Sequence, residues 1–190
     1  MTIIKTPDDF FRDATLFNPN GNTYLISYPH FIDYFNKVST ITFHEMTIGI
    51  NFTYGWMPTI FDYRSDDYNK AVEILNRVKI GIVPSNEDPN NDELIILRNL
   101  FNNSIVGASK LMHFINPDII PIWDSRVCEY LTGSKAYYQI DNIHNFREYI
   151  DFCNTLILDQ RFIKTKANIE TKVGYTMSNM RIADLVMYSN

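Results

Sequence analysis

Apolar residues at helical spacing, set off by strong caps, constrain this chain more than any other feature. Residues 142–158 carry Ile143, Phe146, Tyr149, Ile150, Cys153, Leu156 and Ile157 at steps of one, three and four, an apolar stripe along one helix face. The same period recurs in Ala71, Ile74, Leu75 and Val78, in Leu94, Ile95, Leu97, Leu100 and Phe101, and in residues 177–188. Thr6-Pro7-Asp8-Asp9 supplies a capping hydroxyl, proline at the first helical position and acids in the first turn. That helix is expected to end near Asn18-Pro19-Asn20-Gly21. Ser27 or Tyr28, just ahead of Pro29, opens a second helix, and Asp92 or its neighbour Asn91 opens the one after residues 81–90. Residues 40–56 are rich in β-branched and aromatic side chains with partial alternation; they are read as a helix ended by Pro58.

Seven glycines and eight prolines in 190 residues are too few for a sandwich of many short strands. The expectation is a mostly α, single helical domain over 1–190, with a candidate subdomain boundary in the polar stretch 81–90. At 45% hydrophobic, the chain can bury a sizeable core. No apolar run approaches the ~18–20 residues a membrane helix needs. The opening Met1–Asp9 turns acidic at once, so no signal peptide and a cytoplasmic location are expected. Cys128 and Cys153 then read as reduced core thiols. Two cysteines and four histidines at scattered positions give no metal-site spacing, and no cofactor is implied. A net charge of −5 weighs against a broad basic surface coating nucleic acid, while leaving room for a local basic groove.

Chemistry concentrates between Gly107 and Arg126. Residues 99–131 read as a helix, a tight turn through Ser104–Gly107, a second helix from near Ala108, a loop bounded by Pro117 and Pro121, and a third helix opened by Asp124 or Ser125. Gly107 permits a positive φ or a close backbone approach at the turn. Successive amides at a helix N-terminus favour an anion such as phosphate. Lys110, placed in that helix's first turn, opposes the macrodipole; if it is also buried, its pKa falls and the amine becomes a nucleophile at neutral pH. Asp124 lies 14 residues on, across the loop, where a carboxylate can both cap a helix and face a cavity.

Val106-Gly107 with Lys110, followed by Pro121-Ile122 and Asp124, resembles the core of the helix-hairpin-helix DNA glycosylase superfamily, the group containing endonuclease III and 8-oxoguanine glycosylase. The resemblance covers about 30 of 190 residues. It implies a two-lobed all-α fold acting on DNA with the target base flipped out. Carried over by position, Lys110 is the nucleophile that attacks C1′ and forms a Schiff base, and Asp124 is the essential carboxylate. Ser104, Val106, Gly107 and Ser109 belong to the hairpin whose amides hold phosphate. Arg126, apart from the resemblance, fits either a pair with a nearby acid or a contact to a ligand phosphate. The chain has one hairpin glycine where the family pattern LPGVGxK has two, and Lys110 follows Gly107 by three positions instead of two. It has no four-cysteine cluster for iron and sulfur.

Each of these residues also has a plainer reading. Lys110 fits a surface position on an amphipathic helix, and Asp124 fits a simple N-cap. His113 fits a satisfied core histidine. Trp123 and the Tyr54–Pro58 aromatic cluster with Trp56 fit either core packing or a wall on which a base stacks. Arg181 and Asp184, three apart, fit a simple helix pair. At the level of function, base excision therefore stands beside a non-catalytic helix-hairpin-helix module for nucleic acid or a ligand, and beside a helical protein-interaction factor.

Overall fold

A computed structural model describes residues 3–57, 67–86 and 92–190. Among them are eleven helices and no strand. The chain runs through α1 (Pro7–Thr15), α2 (Tyr24–Lys37), α3 (Phe43–Tyr54), α4 (Tyr68–Lys79), α5 (Glu93–Leu100) and α6 (Ile105–Ile115). It continues through α7 (Ser125–Thr132), α8 (Tyr137–Ile140), α9 (Ile143–Leu158), α10 (Arg161–Val173) and α11 (Asn179–Ser189). None of the described helices is long and apolar enough to cross a membrane.

Two helices organise the rest. In α6 every residue except Val106 is buried, and in α11 Met180 through Met187 are buried. A helix apolar on all sides must be covered on all sides. Accordingly α6 packs against α2, α3, α4 and α5, while α11 packs against α1, α7, α9 and α10. The chain thus begins in the α11 group, crosses to the α6 group after α1, and returns after α6. Residues 81–90 join α4 to α5, which pack on each other and on α6; residues 87–90 of that connection lie outside the described part.

Local signals set several boundaries. Thr6 caps α1 in a capping box with Asp9. Residues 40–56 contain the helix α3, opened at Phe43 by a Thr42–Glu45 capping box and ended at Tyr54; Pro58 lies outside the described residues. Asp92 caps α5 through the Leu94 amide. Cys128 and Cys153 are buried free thiols.

Two expectations need correction. α2 opens at Tyr24 and runs through Pro29 instead of starting beside it. A proline inside a helix deprives the carbonyl four residues earlier of its donor. Here that carbonyl, of Leu25, accepts a hydrogen bond from the Tyr175 hydroxyl at 3.0 Å, so a residue beyond α10 supplies what Pro29 cannot. The hairpin also differs. Its left-handed residues are Asn102 and Asn103, with φ of 56° and 60°, and α6 starts at Ile105, three residues before the expected Ala108. Asparagine tolerates this conformation better than other non-glycine residues.

Gly107 therefore lies inside the helix, and its purpose is close approach. A Cβ there would meet the Phe101 ring 2.5 Å away and that ring's own Cβ at 3.1 Å, atoms with little freedom to yield. Gly107→Ala is expected to cost about 1–3 kcal/mol through overpacking, more than the ~1 kcal/mol that helix propensity returns. Urea unfolding of the variant against wild type measures the net loss.

Candidate active site

The segment Ile120–Trp123 is irregular and buried. Buried backbone without secondary structure must find its hydrogen bonds elsewhere. Side chains from three helices provide them. From α6, His113 Nδ1 lies 2.5 Å from the Ile120 carbonyl. From α9, the Tyr149 hydroxyl donates to the Ile122 carbonyl at 3.1 Å. From α11, Asp184 accepts from the Ile122 amide at 3.1 Å. The Ser109 hydroxyl of α6 accepts from the Trp123 amide at 3.1 Å. A carbonyl can only accept, so His113 carries its proton on Nδ1, and Nε2 accepts from the Tyr28 hydroxyl 2.9 Å away. Held in this way, the segment delivers Asp124 to the start of α7. There one carboxylate oxygen accepts from the Arg126 and Val127 amides at 2.9 and 3.0 Å.

Asp124 faces a cavity of about 340 Å³ between the two helix groups. Lys110 lines the same cavity from α6. Its residue is only 7% exposed, and among the described residues its amine has no hydrogen-bond or ion-pair partner. Burial pushes the Lys110 pKa down; the Asp124 carboxylate opposes that and the Arg181 guanidinium adds to it. Arg181 and Asp184 reach the cavity from α11 as a buried ion pair. Burial raises the Asp184 carboxyl to about 7, with Arg181 pulling the other way. The Arg181 guanidinium also lies 4.8 Å over the Tyr28 ring. Trp56, Tyr24 and Tyr188 give the cavity an aromatic side, with the Tyr24 and Trp56 ring centres 5.0 Å apart.

The expected site residues thus divide. Lys110 and Asp124 converge, and Lys110 is not a surface lysine. As the sixth residue of α6 it stands beyond the first turn, so burial, and not the macrodipole, perturbs it. Val106 and Trp56 line the cavity, Arg126 is exposed at it, and the Trp56 indole donates to Ser27 at 2.9 Å. Trp123 does not reach the cavity: it is fully buried, donates to the Ile140 carbonyl at 2.7 Å and packs on Tyr149, so it offers no stacking face.

The expected phosphate cradle is closed by the chain itself. Ser104 caps the Gly107 amide at 3.4 Å, and the Asp141 carboxylate accepts the Ile105 amide at 3.0 Å, in the place an incoming anion would take. Ser109 is fully buried and spent on residues 106 and 123. Sequence reasoning paired Arg181 with Asp184 but did not put them at the site. The available signal was two charges inside an otherwise apolar helix, a pattern that burial makes costly unless it has a use. Tyr24 and Tyr188 had no local signal.

No family model, characterised protein or solved structure matches this chain significantly.

Folded His113 stays neutral down to about 3, because burial, reinforced by Arg181, outweighs its bond to the Ile120 carbonyl. An unfolded imidazole takes up its proton near 6.5. Between these values the unfolded chain binds more protons, so stability is present above the upper value and is lost as pH falls through the window. Replacing His113 by glutamine, which can also donate to one partner and accept from the other, is expected to flatten the slope of unfolding free energy against pH there. Denaturant titrations across the window read that slope.

Proposed function

We propose that this chain is a DNA glycosylase-like protein that excises a base using the Lys110 amine and the Asp124 carboxylate. One observation carries the reading: the two side chains, from opposite sides of the Asn116–Trp123 loop, line one cavity, and among the described residues the amine there has no hydrogen-bond or ion-pair partner. The depressed Lys110 pKa supports it, because only the uncharged amine attacks carbon. The aromatic side formed by Trp56, Tyr24 and Tyr188 supports a flipped base as occupant.

In this reaction the Lys110 Nζ lone pair attacks C1′ of the target nucleotide. The bond from C1′ to the base breaks, and its electron pair leaves with the base, which takes up a proton. Nζ then gives up a proton. Its lone pair forms the C=N bond as the bond from C1′ to the ring oxygen opens, and that oxygen is protonated. Asp124 stands where positive charge develops on the sugar, and such preorganised electrostatic stabilisation is usually the largest single catalytic contribution.

A non-catalytic module for nucleic acid or a nucleotide-like ligand is the second reading. The Asp141 carboxylate at the start of α6 favours it, since it occupies the anion position of the hairpin.

Borohydride trapping on oligonucleotides carrying abasic sites, uracil, oxidised purines or alkylated bases separates the two. Base excision predicts a covalent adduct with wild type, none with Lys110→Gln, and adduct formation slowed about 10²–10³-fold in Asp124→Asn, which keeps the helix cap. An absence of adduct and of base release on every substrate transfers the assignment to the binding module.

A further inference from the structure

Arg126 and Tyr188 form a junction. The Arg126 guanidinium lies 4.7 Å over the Tyr188 ring, and among the described residues it makes no ion pair. Two surface hollows of about 350 and 500 Å³ share both residues with the central cavity, so three spaces meet at this stacked pair. One hollow is lined by Asn18, Asn20, Asn22 and Thr23 of the α1–α2 turn, which offer neutral donors and acceptors. The other carries Lys5 and Lys135, but these are held at 3.0 Å by Asp13 and 2.9 Å by Glu129. Tyr24 borders both the cavity and the asparagine-lined hollow, with its ring centre 5.0 Å from Trp56 and 6.4 Å from Tyr188.

This surface has aromatic faces, amides and, in Arg126, an exposed guanidinium that makes no ion pair among the described residues. A duplex held through its backbone needs several phosphates neutralised at once, whereas an unpaired strand can be held by stacking with few phosphate contacts. Two of the hairpin amides, those of Ile105 and Gly107, are already bonded to Asp141 and Ser104. A guanidinium held over a tyrosine ring still has N–H donors to offer a phosphate, in bidentate fashion where its edge is open.

We infer that the ligand is single-stranded DNA, its backbone anchored by one phosphate on Arg126 and its bases stacked on Tyr188, Tyr24 and Trp56, with the asparagine-lined hollow taking the adjoining nucleotide. The inference rests on the nucleic-acid reading above and names the form of the substrate. The duplex then plays no part in recognition, and the target base needs no extrusion from a partner strand.

Fluorescence anisotropy with a labelled single strand of mixed sequence, and with the same strand annealed to its complement, tests this over a salt series. The single strand is expected to bind at least about tenfold more tightly than the duplex. Its log–log salt slope should be about −0.7, as one phosphate contact on a single strand requires. Arg126→Gln, a change at an exposed position, should weaken binding about tenfold and flatten the slope. Tyr188→Leu should weaken binding while leaving the slope in place. Equal or tighter duplex binding, a steep slope, or no binding to either form overturns the inference. The two proposals fail separately. A Lys110-dependent adduct on duplex with no single-strand preference removes this inference alone, and single-strand binding without any adduct removes the catalytic reading alone.

Discussion

The hydrogen bonding of the buried segment Ile120–Trp123 is the constraint on which the rest of the structure depends. It has no helix or strand of its own, so each backbone group left without a partner would cost roughly 1–3 kcal/mol. His113, Ser109, Tyr149 and Asp184 meet that demand from α6, α9 and α11. The same four bonds join the two helix groups, because α6 belongs to one and α9 and α11 to the other. They also fix where Asp124 emerges. A single set of contacts thus serves folding, the union of the two groups and the placement of a candidate catalytic carboxylate.

The electrostatics of the cavity follow from the same arrangement. Lys110 of α6 and Arg181 of α11 are both buried at the one cavity, with Asp184 paired to Arg181 and with Asp124 at the edge. Buried charges are costly to leave uncompensated. Arg181 meets that cost with an ion pair and a tyrosine face. Among the described residues Lys110 has neither, and burial pushes its pKa down against the opposing pull of Asp124. A stable fold alone would favour an apolar residue at that position. Violations of ordinary packing preference of this kind concentrate where a site does work.

The hairpin between α5 and α6 keeps a geometry while changing its chemistry. Asn102 and Asn103 take the left-handed turn that glycine would otherwise provide, and Gly107 is used for packing against Phe101. With Asp141 on the Ile105 amide, the helix N-terminus is already neutralised from within. A chain of net charge −5 that closes its amide cradle in this way gives up broad electrostatic attraction to phosphate. What remains at the cavity mouth is Arg126 on Tyr188 and a set of aromatic faces.

Helical class, most helix starts and the capping role of Asp124 were legible in the sequence, because each depends on residues within a few positions of one another. Thr6 with Asp9, Asp92 with Leu94 and Asp124 with Val127 are bonds across two or three residues. That Lys110 and Asp124 could share a pocket was legible from their places on either side of one short loop, and the resemblance of that segment pointed the same way. Tertiary structure decided the rest. α2 passes through Pro29 because Tyr175, 150 positions away, supplies a donor to Leu25. Lys110 is buried at a cavity that Arg181 and Asp184 of α11 also line, and Asp184 reaches the Ile122 amide from 62 positions away. Trp123 and Trp56 carry the same side chain, yet one is sealed in the core and the other lines the cavity. Period and capping are short-range consequences of backbone geometry, whereas burial depends on what distant segments bring to the same place, and the perturbed charges at this site follow burial.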